Sequence, residues 1–268
     1  MQVHPTAHVD PKAELGPEVV IGPEAYVGPK VKIGARTQIG FGAVVTGNTT
    51  IGADNKIHPY AVIGGDPQDL KYGGERTRLE IGDRNVFREY VTANVGTEKD
   101  HGVTRIGSNN FIMAYCHVAH DCALGDHIVM ANAANLGGHV HIEDRAIISG
   151  LVGVHHFVTI GRLAFVGGMS RIGKDVPPFM IVEGNPSRVR VVNVVGLKRN
   201  GFSAERIEAL KTALRLLYRS DLNSADAFRR LEEAAPTQDV AYLIQFLRRV
   251  EAGRQGRALE AFRKTSIT

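Results

Sequence analysis

Residues Leu15-Gly16-Pro17-Glu18-Val19-Val20-Ile21-Gly22-Pro23-Glu24-Ala25-Tyr26-Val27-Gly28-Pro29-Lys30-Val31-Lys32-Ile33-Gly34 decide the fold. An aliphatic residue returns every six positions, glycine follows it, and a small or apolar residue (Val19, Ala25, Val31) stands four places on. Working outward, the same register runs from Val3 and Val9 to Ile57 and Ile63 and is met again at Ile81 and Phe87. It restarts one step out of phase at Ile106 and continues through Ile112, Val118, Leu124, Met130, Leu136, Ile142, Ile148, Val154, Ile160, Val166 and Ile172. A helix of 3.6 residues per turn cannot keep one face with a strict period of six, and simple alternation does not produce paired large and small positions. Six-residue repeats fit a triangular prism in which each hexad forms one short side and three hexads complete a coil. Coils then stack by β-pairing at ~4.8 Å. The expected fold is all-β, a left-handed parallel β-helix with a small C-terminal α-helical domain.

Two stretches break the period, near 66–80 and 98–105, and loops thrown out of a solenoid are natural places for binding groups. The first carries Gln68, Asp69 and Lys71, which makes it a candidate substrate loop. The hexads stop after Pro177-Pro178, and Gly184-Asn185-Pro186 reads as a turn. This sets the β-helix at 1–186 and the helical domain at 187–268. In the latter, Ser203 caps a helix running through Ser220, Ser224 caps another that ends before Pro236, and a third spans about 239–250. Such a domain would cover the open end of the prism, whose unpaired edge otherwise invites aggregation.

Composition narrows the function. A net charge of +4 and a pI of about 9.1, with no Lys/Arg tract, make nucleic acid a poor fit and leave an anionic protein or a phosphorylated substrate open. No apolar run approaches the ~20 residues of a membrane span, and the N-terminus lacks a signal pattern, so a cytoplasmic location is expected. Cys116 and Cys122 fall at the small-residue position and read as core filler.

Seven of the eleven histidines lie between 117 and 156. In an 18-residue coil, His120, Gly138 and His156 share one column at an exposed corner, and Asp121 and His139 are stacked neighbours. A histidine beside a carboxylate is a workable general base, because the carboxylate orients the ring and stabilises its cation. Gly138, one coil above, could offer an unobstructed backbone N–H to a developing oxyanion. Base and oxyanion donor together suit acyl transfer from a thioester without a protein nucleophile. The clustered His117, His120, His139 and His156 also keep a zinc enzyme open, and a non-catalytic solenoid is the third reading.

These residues resemble the UDP-N-acetylglucosamine O-acyltransferases, the hexapeptide-repeat enzymes that begin lipid A synthesis. The resemblance rests on Gln68-Asp69-Leu70-Lys71-Tyr72, His117-Val118-Ala119-His120-Asp121-Cys122, Leu136-Gly137-Gly138-His139-Val140, Val154-His155, Asp175-Val176-Pro177-Pro178, Gly184-Asn185, and Gly196-Leu197-Lys198-Arg199 with Gly201-Phe202-Ser203. It implies His120 as general base, Asp121 as its orienting partner and the Gly138 N–H as oxyanion donor. It implies that His117, His139 and His155 position substrate, with His156 expected beside them among the substrate-binding residues, that Gln68, Asp69 and Lys71 meet the glucosamine, and that Lys198 and Arg199 meet the nucleotide or the carrier. Gly168 and Met169 would set acyl length. The partners implied are acyl carrier protein, whose phosphopantetheine carries the donor, and UDP-N-acetylglucosamine. The family is a homotrimer with sites between subunits, and no metal or separate cofactor is implied. Departures from the family pattern are His156 for the usual Gln, Asn200 for a second Arg, Pro186 for His, and Ala93-Asn94-Val95-Gly96-Thr97 for Ile-His-Arg-Gly-Thr.

Overall fold

The structure, a computed structural model, describes residues 1–98 and 101–262. Short strands, most of two residues, wind around three faces of a prism. The first face runs from Gln2–Val3 to Phe165–Val166, the second from His8–Val9 to Arg171–Ile172, and the third from Glu14–Leu15 to Thr159–Ile160. Pairing between coils is parallel and in register, Ile21 against Ile39 and Val27 against Val45, so each hexad aliphatic stacks on the next. These columns form one continuous buried core from Val19 to Val182. Both cysteines lie in it as free thiols.

The hexad's small position is asparagine on three successive coils, for a structural reason. Asn55, Asn85 and Asn110 are buried at one corner and bond up the stack: Asn55 Oδ1 accepts from the Asn85 backbone N–H (2.9 Å), and Asn85 Oδ1 from that of Asn110 (2.9 Å). Their amides donate to the carbonyls of Gly82, Gly107 and Gly125, so the buried polar atoms are paired.

Ile51 pairs with Ile81, and Ile81 with Ile106, separations of 30 and 25 residues instead of 18. The extra residues leave the prism at the same corner, between the second and third faces. The first excursion follows Val62–Gly65 and ends where Arg78–Ile81 begins; the second follows Thr92–Asn94 and ends at Val103–Ile106. Residues 99 and 100 of the expected 98–105 break lie outside the described residues.

The hexad face outlasts Pro177-Pro178. Ile181 and Val182 still pair in parallel with Phe165 and Val166, and the chain then turns back through Asn185-Pro186 into an antiparallel strand, Ser187–Val192. That strand was not expected, because its charged and aliphatic residues alternate and carry no six-residue period. The helices follow: α1 Val194–Arg199, α2 Ala204–Tyr218, α3 Ser224–Glu233 and α4 Gln238–Ala252. Ser203 caps α2 as expected, but Asn223, not Ser224, caps α3, its side chain accepting from the Asp226 N–H. A second core joins the helices to the prism through Leu163, Phe179, Met180 and Val192, so the domain packs on the prism end.

Candidate active site

Five successive coils build one corner. From the fourth coil to the eighth, the turn between the second and third faces carries the first excursion, the second excursion, His120-Asp121, Gly138-His139 and His156-Phe157. Asp121, His139 and Phe157 occupy the left-handed turn position, with φ of 59°, 61° and 62°. This conformation costs an L-residue roughly 1 kcal/mol or more, and the stacked turns hold it: the His139 N–H donates to His120 O (3.0 Å), and the Phe157 N–H to Gly138 O (3.2 Å).

His120 Nδ1 lies 2.8 Å from Asp121 Oδ2. With the carboxylate ionised this bond requires the proton on Nδ1, which leaves Nε2 as the basic nitrogen of the neutral ring. Burial alone would raise the Asp121 carboxyl, but the hydrogen bonds from His120 and Thr97 outweigh it and hold the group below the usual carboxylate range. His139 stands with its Nε2 3.9 Å from the same Oδ2, its ring edge-on to His120 and stacked at 4.4 Å on Phe157.

The corner is less open than the sequence implied. Side-chain exposure is 15% for His120, 1% for Asp121 and 16% for His139. The reason is that the second excursion brings Thr97 against Asp121, while Phe157 covers His139.

Gly138 sits directly against the base. A Cβ there would fall 2.5 Å from His120 Cε1 and 2.7 Å from Nε2, so only glycine leaves the imidazole in place. Among the described residues no protein acceptor takes the Gly138 N–H.

The remaining expected site residues separate by place. His117 faces outward on the second face beside the corner, its Nδ1 2.7 Å from Thr92 Oγ1, and burial followed by the neighbouring His120 lowers its basicity. His155 Nδ1 bonds the carbonyl of His156, whose own side chain is exposed. Gln68, Asp69 and Lys71 lie on the first excursion, two coils below His120, where Asp69 Oδ1 accepts the Lys71 N–H. Gly168 and Met169, however, occupy the corner between the first and second faces, with Met169 78% exposed. Lys198 and Arg199 end α1 beside Asn200, which accepts from Arg145 at the third corner. A single chain therefore does not bring these last four residues to His120.

Sequence reasoning gave no role to Thr92, Thr97 or Phe157, although Phe157 follows the Val154-His155 segment that resembles the family and Thr97 ends the Ala93–Thr97 stretch that departs from it. Phe157 is 18 residues past His139 and was open to the same column arithmetic. The two threonines were not, because the second excursion stretches their coil to 25 residues.

His120, Asp121 and His139 also cluster tightly enough to be considered as metal ligands. The 2.8 Å between His120 Nδ1 and Asp121 Oδ2 is a hydrogen bond, shorter than the roughly 3.3 Å separating tetrahedral ligands at zinc distances. Both carboxylate oxygens already accept from Thr97. As arranged, the carboxylate is engaged by hydrogen bonds on both oxygens.

Comparison with known proteins gives the family. The bacterial transferase hexapeptide family matches residues 12–47 and 30–65, and the second domain of UDP N-acetylglucosamine O-acyltransferase matches residues 175–256. A Synechocystis protein named acyl-[acyl-carrier-protein]–UDP-N-acetylglucosamine O-acyltransferase is 54% identical over 215 residues, 80% of this chain and 78% of its own. The chain belongs to the UDP-N-acetylglucosamine O-acyltransferase family. Solved structures of UDP-N-acetylglucosamine acyltransferases from Bacteroides fragilis (39% identity, TM-score 0.89) and Campylobacter jejuni (38%, 0.87) superpose over 91% and 92% of this chain and 96% of each of theirs. In this O-acyltransferase, Asn200 closes the end of α1, its amide returning to Gly196 O while its oxygen takes Arg145.

Proposed function

We propose that this chain transfers a 3-hydroxyacyl group from acyl carrier protein to the 3-hydroxyl of UDP-N-acetylglucosamine, the first step of lipid A biosynthesis, in the cytoplasm. The observation that carries the reading is the His120–Asp121 pair with Gly138 seated against its ring. Nε2 of His120 takes the proton as the sugar hydroxyl attacks the thioester carbonyl. Asp121 fixes the tautomer and stabilises the imidazolium. Charge then develops on the carbonyl oxygen, and the Gly138 N–H donates a hydrogen bond to it in a partly dehydrated site. Collapse expels the carrier thiol, which regains a proton from His120. No metal or separate cofactor is needed for these steps.

The remaining site residues support a homotrimer. Groups assigned to the two substrates of one reaction sit on all three corners of the prism: Asp69, Lys71, His120, His139 and His156 on one, Gly168 and Met169 on another, Lys198 and Arg199 on the third. Copies arranged side by side about a threefold axis bring unlike corners together, and the groove between two prisms then holds sugar, nucleotide and acyl chain. No helix among the described residues is long and apolar enough to cross a membrane.

The test is an acyl-transfer assay with UDP-N-acetylglucosamine and a panel of 3-hydroxyacyl carrier proteins, wild type beside His120→Ala. Product from wild type alone is expected, with the variant's circular dichroism and oligomeric mass unchanged. Near-normal turnover by the variant overturns the general-base assignment; no product from any donor overturns the substrate assignment.

A further inference from the structure

Asp121 is tied down by more than His120. Its Oδ1 accepts the Thr97 backbone N–H at 2.9 Å, and its Oδ2 accepts the Thr97 hydroxyl at 2.6 Å. Its own N–H donates to Thr104 Oγ1 at 2.8 Å. Thr97 and Thr104 are both buried, at 4% and 0% exposure, so water does not compete for these bonds. Thr97 and Thr104 flank the second excursion. The loop is pinched at its base, where the Gly96 N–H donates to Arg78 O and the Gly102 N–H to Thr97 O. A Cβ on Gly96 would collide with the backbone of Val103 and open that pinch.

We propose that Thr97, fixed at the pinched base of the second excursion, is a positioning residue for the His120–Asp121 base. The inference rests on the acyl-transfer reading above and gives the excursion a role within it. A carboxylate joined to its histidine by one bond can rotate about χ2 and carry the imidazole with it. The Thr97 N–H and O–H grip both oxygens and fix the carboxylate plane, so Oδ2 points at Nδ1 and Nε2 points past Gly138. Sharing also matters. The Thr97 hydroxyl and the His120 ring draw on the same oxygen, so the hydroxyl withdraws charge that would otherwise stabilise the imidazolium. Thr97 thereby shares the oxygen that the base uses while holding that base in place.

The experiment is a pH profile of kcat/KM for the graded series Thr97→Ser, Thr97→Cys and Thr97→Val, with thermal melts of each. T97S keeps the hydroxyl and is expected within about threefold of wild type, its acid limb unmoved. T97V loses the hydroxyl but keeps the N–H. It is expected to fall about 10–100-fold in kcat, with little change in KM, because small misplacements of a catalytic group cost this much. Its acid limb should move upward, because the carboxylate oxygen then serves the imidazolium alone, and T97C should lie between. A purely structural threonine would lower the amount of folded protein and activity at all pH values without moving the limb. In an Asp121→Asn background, T97V should cost little further, since its effect runs through that carboxylate. If T97V does not fold, the Ser and Cys variants carry the same comparison. An unmoved acid limb across the series, with H120A still inactive, overturns the role of Thr97 and leaves the general base standing. If H120A is active, the underlying reading fails instead.

Discussion

Replacing Gly138 by alanine adds a single methyl group, and the structure sets the size of its effect. The new Cβ would lie 2.5 Å from His120 Cε1 and 2.7 Å from Nε2, where ordinary contact begins at 3.4 Å. Relieving both contacts moves the ring by about 0.7–0.9 Å, and a displacement near 1 Å at a catalytic group costs on the order of 100-fold in rate. The ring cannot yield freely. Its Nδ1 is held at 2.8 Å by Asp121, and His139 stands edge-on beside it. Backbone strain does not enter, because Gly138 is outside the left-handed region that its neighbour His139 occupies. G138A should therefore fold normally and lose about 100-fold or more in kcat, with KM for the sugar nucleotide changed far less. Steady-state kinetics beside a thermal melt check this. A folded G138A with kcat within threefold of wild type would refute the reasoning, since the methyl group would then have found room that the packing denies it.

Enlarging Gly168 to methionine meets only ordinary contact, 3.5 Å to Gly150 O, so the fold should tolerate it. The donor preference should move to shorter chains by at least tenfold in the ratio of kcat/KM values; an unchanged donor profile removes Gly168 from the acyl gauge. Phe87 is wholly buried on the coil between the two excursions, and Phe87→Ala should cost about 3–5 kcal/mol, read by denaturant unfolding. Asp175 is raised to about 6 by burial, against the bonds it accepts from Ala258 and Thr159. A carboxyl raised above its unfolded value binds its proton more tightly when folded, so its contribution is full below about pH 4 and lost as pH rises through about 6. Between pH 4.5 and 7.5 the wild-type Tm should therefore decline more than that of Asp175→Asn; parallel curves would contradict this.

Most of the fold was legible because its repeat is strict. Every aliphatic from Ile21 to Ile63 stacks as spaced, and the column of His120 and Gly138 followed from a period of 18 alone. The arithmetic failed where the chain adds residues. Thr92 meets His117 across 25 positions and Thr97 meets Asp121 across 24, separations that no fixed period reveals. The phase step at Ile106 held the correction, since subtracting 25 from His117 gives Thr92. Burial was misjudged for a related reason: a corner is exposed by default, and the excursion that covers this one interrupts the pattern. The strand Ser187–Val192 was hidden because it pairs antiparallel, outside the repeat. The placement of Gly168 and Lys198 on other corners was open to counting but could not be weighed until the corners had been assigned.

The two excursions differ in length, yet the strands above each resume in register as though nothing had intervened. The prism therefore separates two kinds of inheritance. Its stacked hexads carry the geometry of the base, while the corner beneath accepts two inserts of different size and the third face still pairs in register. The base of the second insert, from Gly96 to Thr97 and again at Gly102 to Thr104, is bonded to Asp121 beside the general base. The tip around Leu70 instead carries Gln68, Asp69 and Lys71, the groups assigned to the glucosamine, two coils away from the base. Grafting tips from other members onto this scaffold is a route to new acceptor preferences that leaves proton transfer where it is.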